Sequence, residues 1–263
     1  MRVLITGAGG SIGRVLAQGL PALGHELRGL DLHDAGQLAP ALALGWTTGD
    51  CLDPATVDAA VKGVEAVVHL AGKPDEGSLT ESLESHVHTT GRLLDAMVRH
   101  GVDRMVYASS NHAVGRTERR DLLTTATRPR PDSFYGTAKV AAEALLSLYA
   151  DRYGIAVVAT RIGSFLPYPE TERGLSTWLS YTDGVRMFQA ALTCPPPGYQ
   201  VIYGVSANTR GWWDLEPGRA LGYDPQDDAE NWSADVPARP EDAEEAAHVG
   251  GPFATVTSER PAF

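Results

Sequence analysis

Cysteine and lysine are scarce in this 263-residue chain. Only Cys51 and Cys194 are present, far apart and outside any CxxC or Cys/His cluster. That pattern gives no disulfide framework and no metal site, and it suits a reducing cytoplasm. Lysine occurs only at 62, 73 and 139, against 19 arginines, so each lysine is an unusual choice. No apolar run reaches the roughly 18–20 residues that a membrane helix needs. The start, MRVLITGAGG, lacks a basic n-region followed by an apolar stretch and a cleavage site, so no signal peptide is expected. Positive charge is short as well. The net charge of −11 argues against nucleic acid as a partner, which requires a basic surface. Twelve acids against three arginines fall between Asp214 and the end, and they read as a solvated tail.

What is present is an ordinary globular composition, 43% hydrophobic and 21% charged. Short apolar runs alternate with helical stretches. Expected strands are Arg2–Thr6, His25–Asp31, Gly45–Gly49, Glu65–Leu70, Asp103–Ser109 and Ile155–Ile162. Expected helices are Arg14–Leu23, Asp53–Lys62, Leu79–His100 and Ser133–Tyr153. The strands are continuously apolar, as in parallel sheets covered on both faces. The expected class is therefore α/β, a Rossmann-like doubly wound parallel sheet. After Ile162 the rhythm breaks, leaving one helix near Thr182–Leu192 and a short strand at Gln200–Tyr203. We expect residues 1–162 to form the nucleotide-binding core. Residues 163–263 then form a small substrate-binding region over the sheet's C-terminal edge, with the last 35 or so extended and partly irregular.

Gly7, Gly10 and Gly13 open the pattern GxxGxxG between the first strand and first helix. Gly7 permits a tight turn, Gly10 lets the backbone approach a pyrophosphate, and Gly13 permits close helix–strand packing. The helix N-terminus, with Ser11 and Ile12, offers N–H groups to phosphates. Asp31 ends the second strand, where it can accept both adenosine ribose hydroxyls and repel a 2′-phosphate; the expected cofactor is NAD rather than NADP. Leu32 follows it. Asp50 and Cys51 end the third strand, where they can meet an adenine. Leu70, Ala71 and Gly72 end the fourth beside the cofactor.

Tyr135 and Lys139 form a YxxxK on an expected helix, which puts both on one face. Lys139 is expected to lower the phenol's pKa and to hold the nicotinamide ribose. The resulting tyrosinate can take a proton from a hydroxyl at neutral pH. Ser110 ends the fifth strand and can bond the same substrate oxygen.

Together these residues resemble the extended short-chain dehydrogenase/reductase family. The segments SSNHAVG (Ser109–Gly115), RIGSFLPYPETERGLSTWLS (Arg161–Ser180) and YGVSANTRGWWD (Tyr203–Asp214) are similar to those of its uronate dehydrogenases. The resemblance implies NAD-dependent oxidation of C1 of glucuronate or galacturonate to an aldarolactone. It further implies Tyr135 as general base, Phe165 at the cofactor, a sugar-acid substrate and a homo-oligomer. Arg173 would clamp the carboxylate, which suits a bidentate guanidinium. Ser110, Asn111, His112 and Ser164 would bond ring hydroxyls. Phe253, in GGPF, would cap a pocket, from this chain or from a neighbouring subunit. Two positions depart from the pattern: Pro74 stands where a substrate-contacting serine is usual, and His86 where an asparagine is usual. Lys73 is expected in solvent, and Trp212 and Trp213 in the core. Other readings are an NAD-dependent dehydrogenase of another sugar, a nucleotide-sugar epimerase or dehydratase, and a non-catalytic NAD(H) sensor. Retention of the Tyr/Lys pair and the little room for a nucleotide-holding domain favour the dehydrogenase.

Overall fold

The computed structural model describes residues 1–36, 41–119, 122–255 and 262. The first half runs β1 (Arg2–Thr6), α1 (Ser11–Gly19), β2 (Glu26–Asp31), β3 (Trp46–Thr48), α2 (Pro54–Val61) and β4 (Ala66–His69). It continues through α3 (Leu79–Leu83), a π-turn at Glu84–His88, α4 (Thr89–His100), β5 (Arg104–Ser110), α5 (Phe134–Tyr153) and β6 (Ala156–Ile162). Then follow β7 (Ser164–Phe165), α6 (Gly174–Thr177), β8 (Trp178–Leu179), α7 (Tyr181–Thr193), β9 (Tyr199–Gly204), α8 (Glu216–Ala220) and α9 (Asp242–Glu245).

Seven parallel strands form one sheet in the order β3-β2-β1-β4-β5-β6-β9. Alternate residues of β1 show why helices must cover both faces. Val3 and Ile5 enter one core with Leu16 of α1 and Met187 and Phe188 of α7. Leu4 enters the opposite core with Val57, Leu93, Met97 and Leu146 of α2, α4 and α5. Chain order reverses beside β1, between β2 and β4. Such a switch point opens a crevice at the strands' carboxyl ends.

Three sequence expectations change here. The long helix expected over Leu79–His100 is interrupted by the π-turn that carries His86. No proline or glycine marks it; the hydroxyls of Thr89 and Thr90 donate to the carbonyls of Ser85 and His86, four residues back. β9 comes from the later part of the chain yet completes the main sheet beside β6. The C-terminal stretch expected to be extended contains short helical turns at Ala229–Trp232, Asp242–Glu245 and Gly251–Ala254, while 256–261 and 263 lie outside the described residues. Trp212 and Trp213 stack at 3.8 Å within a buried cluster, as expected of core residues.

Candidate active site

The strand ends build the site. Gly7 leaves β1 with φ of +66°, and a Cβ there would stand 2.8 Å from the backbone nitrogen of Ala71. At Gly13 a Cβ would stand 2.6 Å from both the Cα and the carbonyl oxygen of Ala8. Both positions therefore require glycine, one for the turn and one for the helix to seat against it. No side chain caps the N-terminus of α1, so its first N–H groups are left for a ligand. The Asp31 carboxylate lies across the loop, accepting the Gly9 N–H at 2.9 Å and the His33 N–H at 3.2 Å.

A cavity of about 790 Å³ runs from this loop to the end of β6. Gly7, Gly10, Ser11, Ile12 and Gly13 line one end with Asp31, Leu32, Asp50 and Cys51. Leu70, Ala71, Gly72 and Pro74 line the middle; Ser110, Tyr135, Lys139 and Phe165 line the far end. The whole set expected at the cofactor is thus gathered around one space. An uncapped helix start, glycines with no room for side chains and a carboxylate at the end of β2 fit a dinucleotide. Cys51 is a neutral wall: burial, with help from Asp50 and Asp31, pushes its thiol up to about 12.

Tyr135 and Lys139 share one face of α5, with the Lys139 ammonium 5.4 Å from the Tyr135 ring centroid. Lys139 is buried and donates to the Ala108 carbonyl at 2.7 Å. Burial pulls its pKa down to about 7, against an opposing pull from Glu143. The expected lowering of the phenol is not found in this state of the site. Burial pushes Tyr135 up to about 12, only partly opposed by the Ser110 hydroxyl. Desolvation of a charged form outweighs a nearby cation that is itself desolvated. Below them Glu143 locks Arg161 through two hydrogen bonds, at 3.0 and 2.8 Å, and accepts the Ser109 hydroxyl at 2.5 Å.

His86 stands edge-on to Tyr135, ring centroids 5.1 Å apart. Burial, with Lys139 next, pulls its pKa to about 2, so the ring is neutral. Its Nε2–H donates to the Lys73 carbonyl at 2.9 Å. Behind it, Thr6 donates to His69 Nδ1 at 2.7 Å and His69 Nε2–H donates to Thr90 at 3.2 Å. Lys73 itself is exposed and pairs with Glu81 at 3.1 Å.

Asn111, His112, Ser164 and Arg173, expected at the substrate, do not line this cavity. Three of them meet a C-terminal strap, residues 249–253, instead. The Val249 carbonyl accepts both Arg173 (2.6 Å) and Asn111 (3.4 Å). His112 Nδ1–H donates to the buried Asp132 carboxylate at 2.8 Å. The Phe253 ring lies 4.5 Å from His112 in the same chain. Ser164 bonds the Thr177 hydroxyl at 2.9 Å. Arg173 forms no ion pair among the described residues, and its Nε has no partner there. Burial pulls its pKa down to about 10, opposed by Asp132 and Glu245. Sequence reasoning missed Asp132, the strap carbonyl and Glu76, whose carboxylate accepts the N–H groups of Phe134 and Tyr135. Asp132 stands directly before Ser133, the N-cap of α5, a position where an acidic residue signals no more than a helix start.

The profile of the NAD dependent epimerase/dehydratase family matches residues 3–179. The chain belongs to that family. Among its relatives, a uronate dehydrogenase of Pseudomonas syringae pv. tomato is 38% identical over 257 residues, covering 96% of this chain and 92% of that protein. A NAD-dependent glucose-6-phosphate dehydrogenase of Haloferax volcanii is 36% identical over 252 residues, covering 86% and 94%. A mutant uronate dehydrogenase from Agrobacterium tumefaciens, solved in complex with NAD, superposes with a TM-score of 0.90 at 35% identity over 100% and 98% of the two chains. The matched stretch takes in the glycine loop and all of α5. Among the described residues no helix is long and apolar enough to cross a membrane.

Proposed function

We propose that this chain oxidises the C1 hydroxyl of a free hexuronic acid, glucuronate or galacturonate, to an aldarolactone. The carrying observation is the meeting of Ser110, Tyr135 and Lys139 at one end of a cavity whose other end is the glycine loop and Asp31. When bound, NAD supplies the hydride acceptor and a positively charged ring. Gly7, Gly10 and the first turn of α1 hold its phosphates, and Asp31 its adenosine ribose. Tyr135 takes the proton of the C1 hydroxyl as general base. Ser110 holds that oxygen, and Lys139 steadies the tyrosinate once the site is closed from water. Arg173, held by the Val249 carbonyl outside the cavity lining, would turn to the carboxylate when substrate binds, a desolvated cation that a substrate anion would neutralise.

Arg173 would equally meet a phosphate, and the similarity to the Haloferax enzyme, with Pro74 and His86 off the uronate pattern, gives a second reading: a sugar phosphate oxidised at C1. Purified protein with NAD, offered glucuronate, galacturonate, glucose, glucose 6-phosphate and UDP-glucuronate in parallel, separates these. The proposal expects NADH to accumulate with the free uronates. Accumulation with glucose 6-phosphate alone favours the second reading. Turnover with glucose but not the acids removes Arg173 from its role. Interconversion of UDP-sugars without NADH points to an epimerase.

A further inference from the structure

The base proposed above sits where a helix holds its residues least firmly. Tyr135 is the second residue of α5. The N–H groups of a helix's first turn have no partner within the helix, so the backbone ladder does not fix Tyr135 as it fixes Lys139 one turn later. Ser133 caps only one of the three groups concerned, the Gly136 N–H at 2.9 Å. The other two belong to Phe134 and Tyr135 itself. One carboxylate from outside the helix takes both: Glu76 Oε1 accepts the Phe134 N–H at 2.9 Å, and Oε2 accepts the Tyr135 N–H at 3.1 Å. Glu76 is 58 and 59 residues away in sequence from these donors. It belongs to the segment between β4 and α3, whose earlier residues Ala71, Gly72, Lys73 and Pro74 line the cavity.

We infer that Glu76 is a positioning residue: its two oxygens set the first turn of α5 and thereby the placing of the Tyr135 hydroxyl, and they tie that placing to the cavity-lining segment. The inference rests on the reading of Tyr135 as base. A carboxylate fits this task because it offers two acceptors to two parallel donors, and its charge suits the positive end of a helix. An amide offers one acceptor and turns an N–H toward the other donor. Displacement of a base by about 1 Å can cost on the order of 100-fold in rate, while cofactor binding through the glycine loop and Asp31 is left alone.

The test compares Glu76→Gln and Glu76→Gly with wild type for kcat, for NAD affinity by direct binding, and for thermal unfolding. Glu76→Gly leaves room against two N–H donors for one small carboxylate, and formate is the probe. We expect kcat to fall at least about 10-fold in both variants, with NAD affinity within about twofold and folding retained. Added formate should restore kcat in Glu76→Gly saturably, but not in Tyr135→Phe. Rescue by a free anion is a readout that a general structural role does not produce. Wild-type kcat in Glu76→Gly overturns the inference, as does a loss that formate leaves untouched or that comes with an equal loss of NAD affinity. If Tyr135→Phe is inactive while Glu76→Gly is normal, only this inference fails. If Tyr135→Phe turns over normally, the reading beneath it fails instead.

Discussion

Replacing Arg173 by Met separates a substrate arginine from a structural one. The guanidinium makes one hydrogen bond, to the Val249 carbonyl at 2.6 Å, and no ion pair among the described residues. Its pKa is held near 10 instead of 12.5. At about 1.4 kcal/mol per pKa unit, that is roughly 3 kcal/mol of unfavourable solvation of the charged form. A charge-assisted hydrogen bond returns about 1.5–3 kcal/mol. The two nearly cancel, so Arg173→Met should change the stability of the ligand-free protein by no more than about 1–2 kcal/mol, or a few degrees in Tm for a chain of this size. Binding is different. A substrate carboxylate against a desolvated guanidinium is worth about 3 kcal/mol, so the KM for glucuronate should rise on the order of 100-fold. Differential scanning fluorimetry with and without glucuronate, alongside initial rates, reads both quantities. Gly251→Ala is a companion variant for KM alone, because a Cβ there would stand 2.4 Å from Arg173 Nε, while the φ of +59° lowers its stability independently of Arg173. A large fall in Tm with unchanged KM would refute the reasoning and make Arg173 a strut for the strap.

Two further outcomes follow from the site. Asp31→Ser removes the carboxylate beside the glycine loop; NAD affinity should fall about 10-fold and discrimination against NADP by more, measured as the ratio of kcat/KM values, and an unchanged ratio would show that Asp31 does not read the ribose. Lys139 titrates near 7 when folded and near 10.5 when unfolded. Between those values the unfolded chain binds the proton more strongly, so stability rises with pH from about 7 to 10.5, and the burial penalty is full below 7. Lys139→Met should therefore be more stable than wild type in urea at pH 6, by up to a few kcal/mol. That advantage should shrink toward pH 10, whereas a constant difference would contradict the burial argument.

The sheet and the cofactor end of the site were legible in the sequence because their signals are local. Gly7, Gly10, Gly13, Asp31 and the Tyr135–Lys139 pair each follow from a strand end or a helical turn, and all line one cavity. What was not legible depends on contacts between distant segments. The Val249 carbonyl is a backbone group with no residue type to betray it. The Glu76 clamp spans 58 residues. The π-turn at His86 lies beside threonine hydroxyls that bond back to carbonyls, in a stretch whose periodicity reads as plain helix. The direction of the Tyr135 shift was misjudged for a related reason: sequence shows the lysine beside the phenol but not how strongly burial disfavours the charged form of each.

The most direct test of the account is turnover of glucuronate by Tyr135→Phe at saturating NAD, with cofactor binding measured on the same preparation. The account predicts NADH formation reduced at least about 1,000-fold, with NAD affinity near that of wild type. NADH formation at the wild-type rate would show that another group takes the C1 proton, and the mechanism would fall.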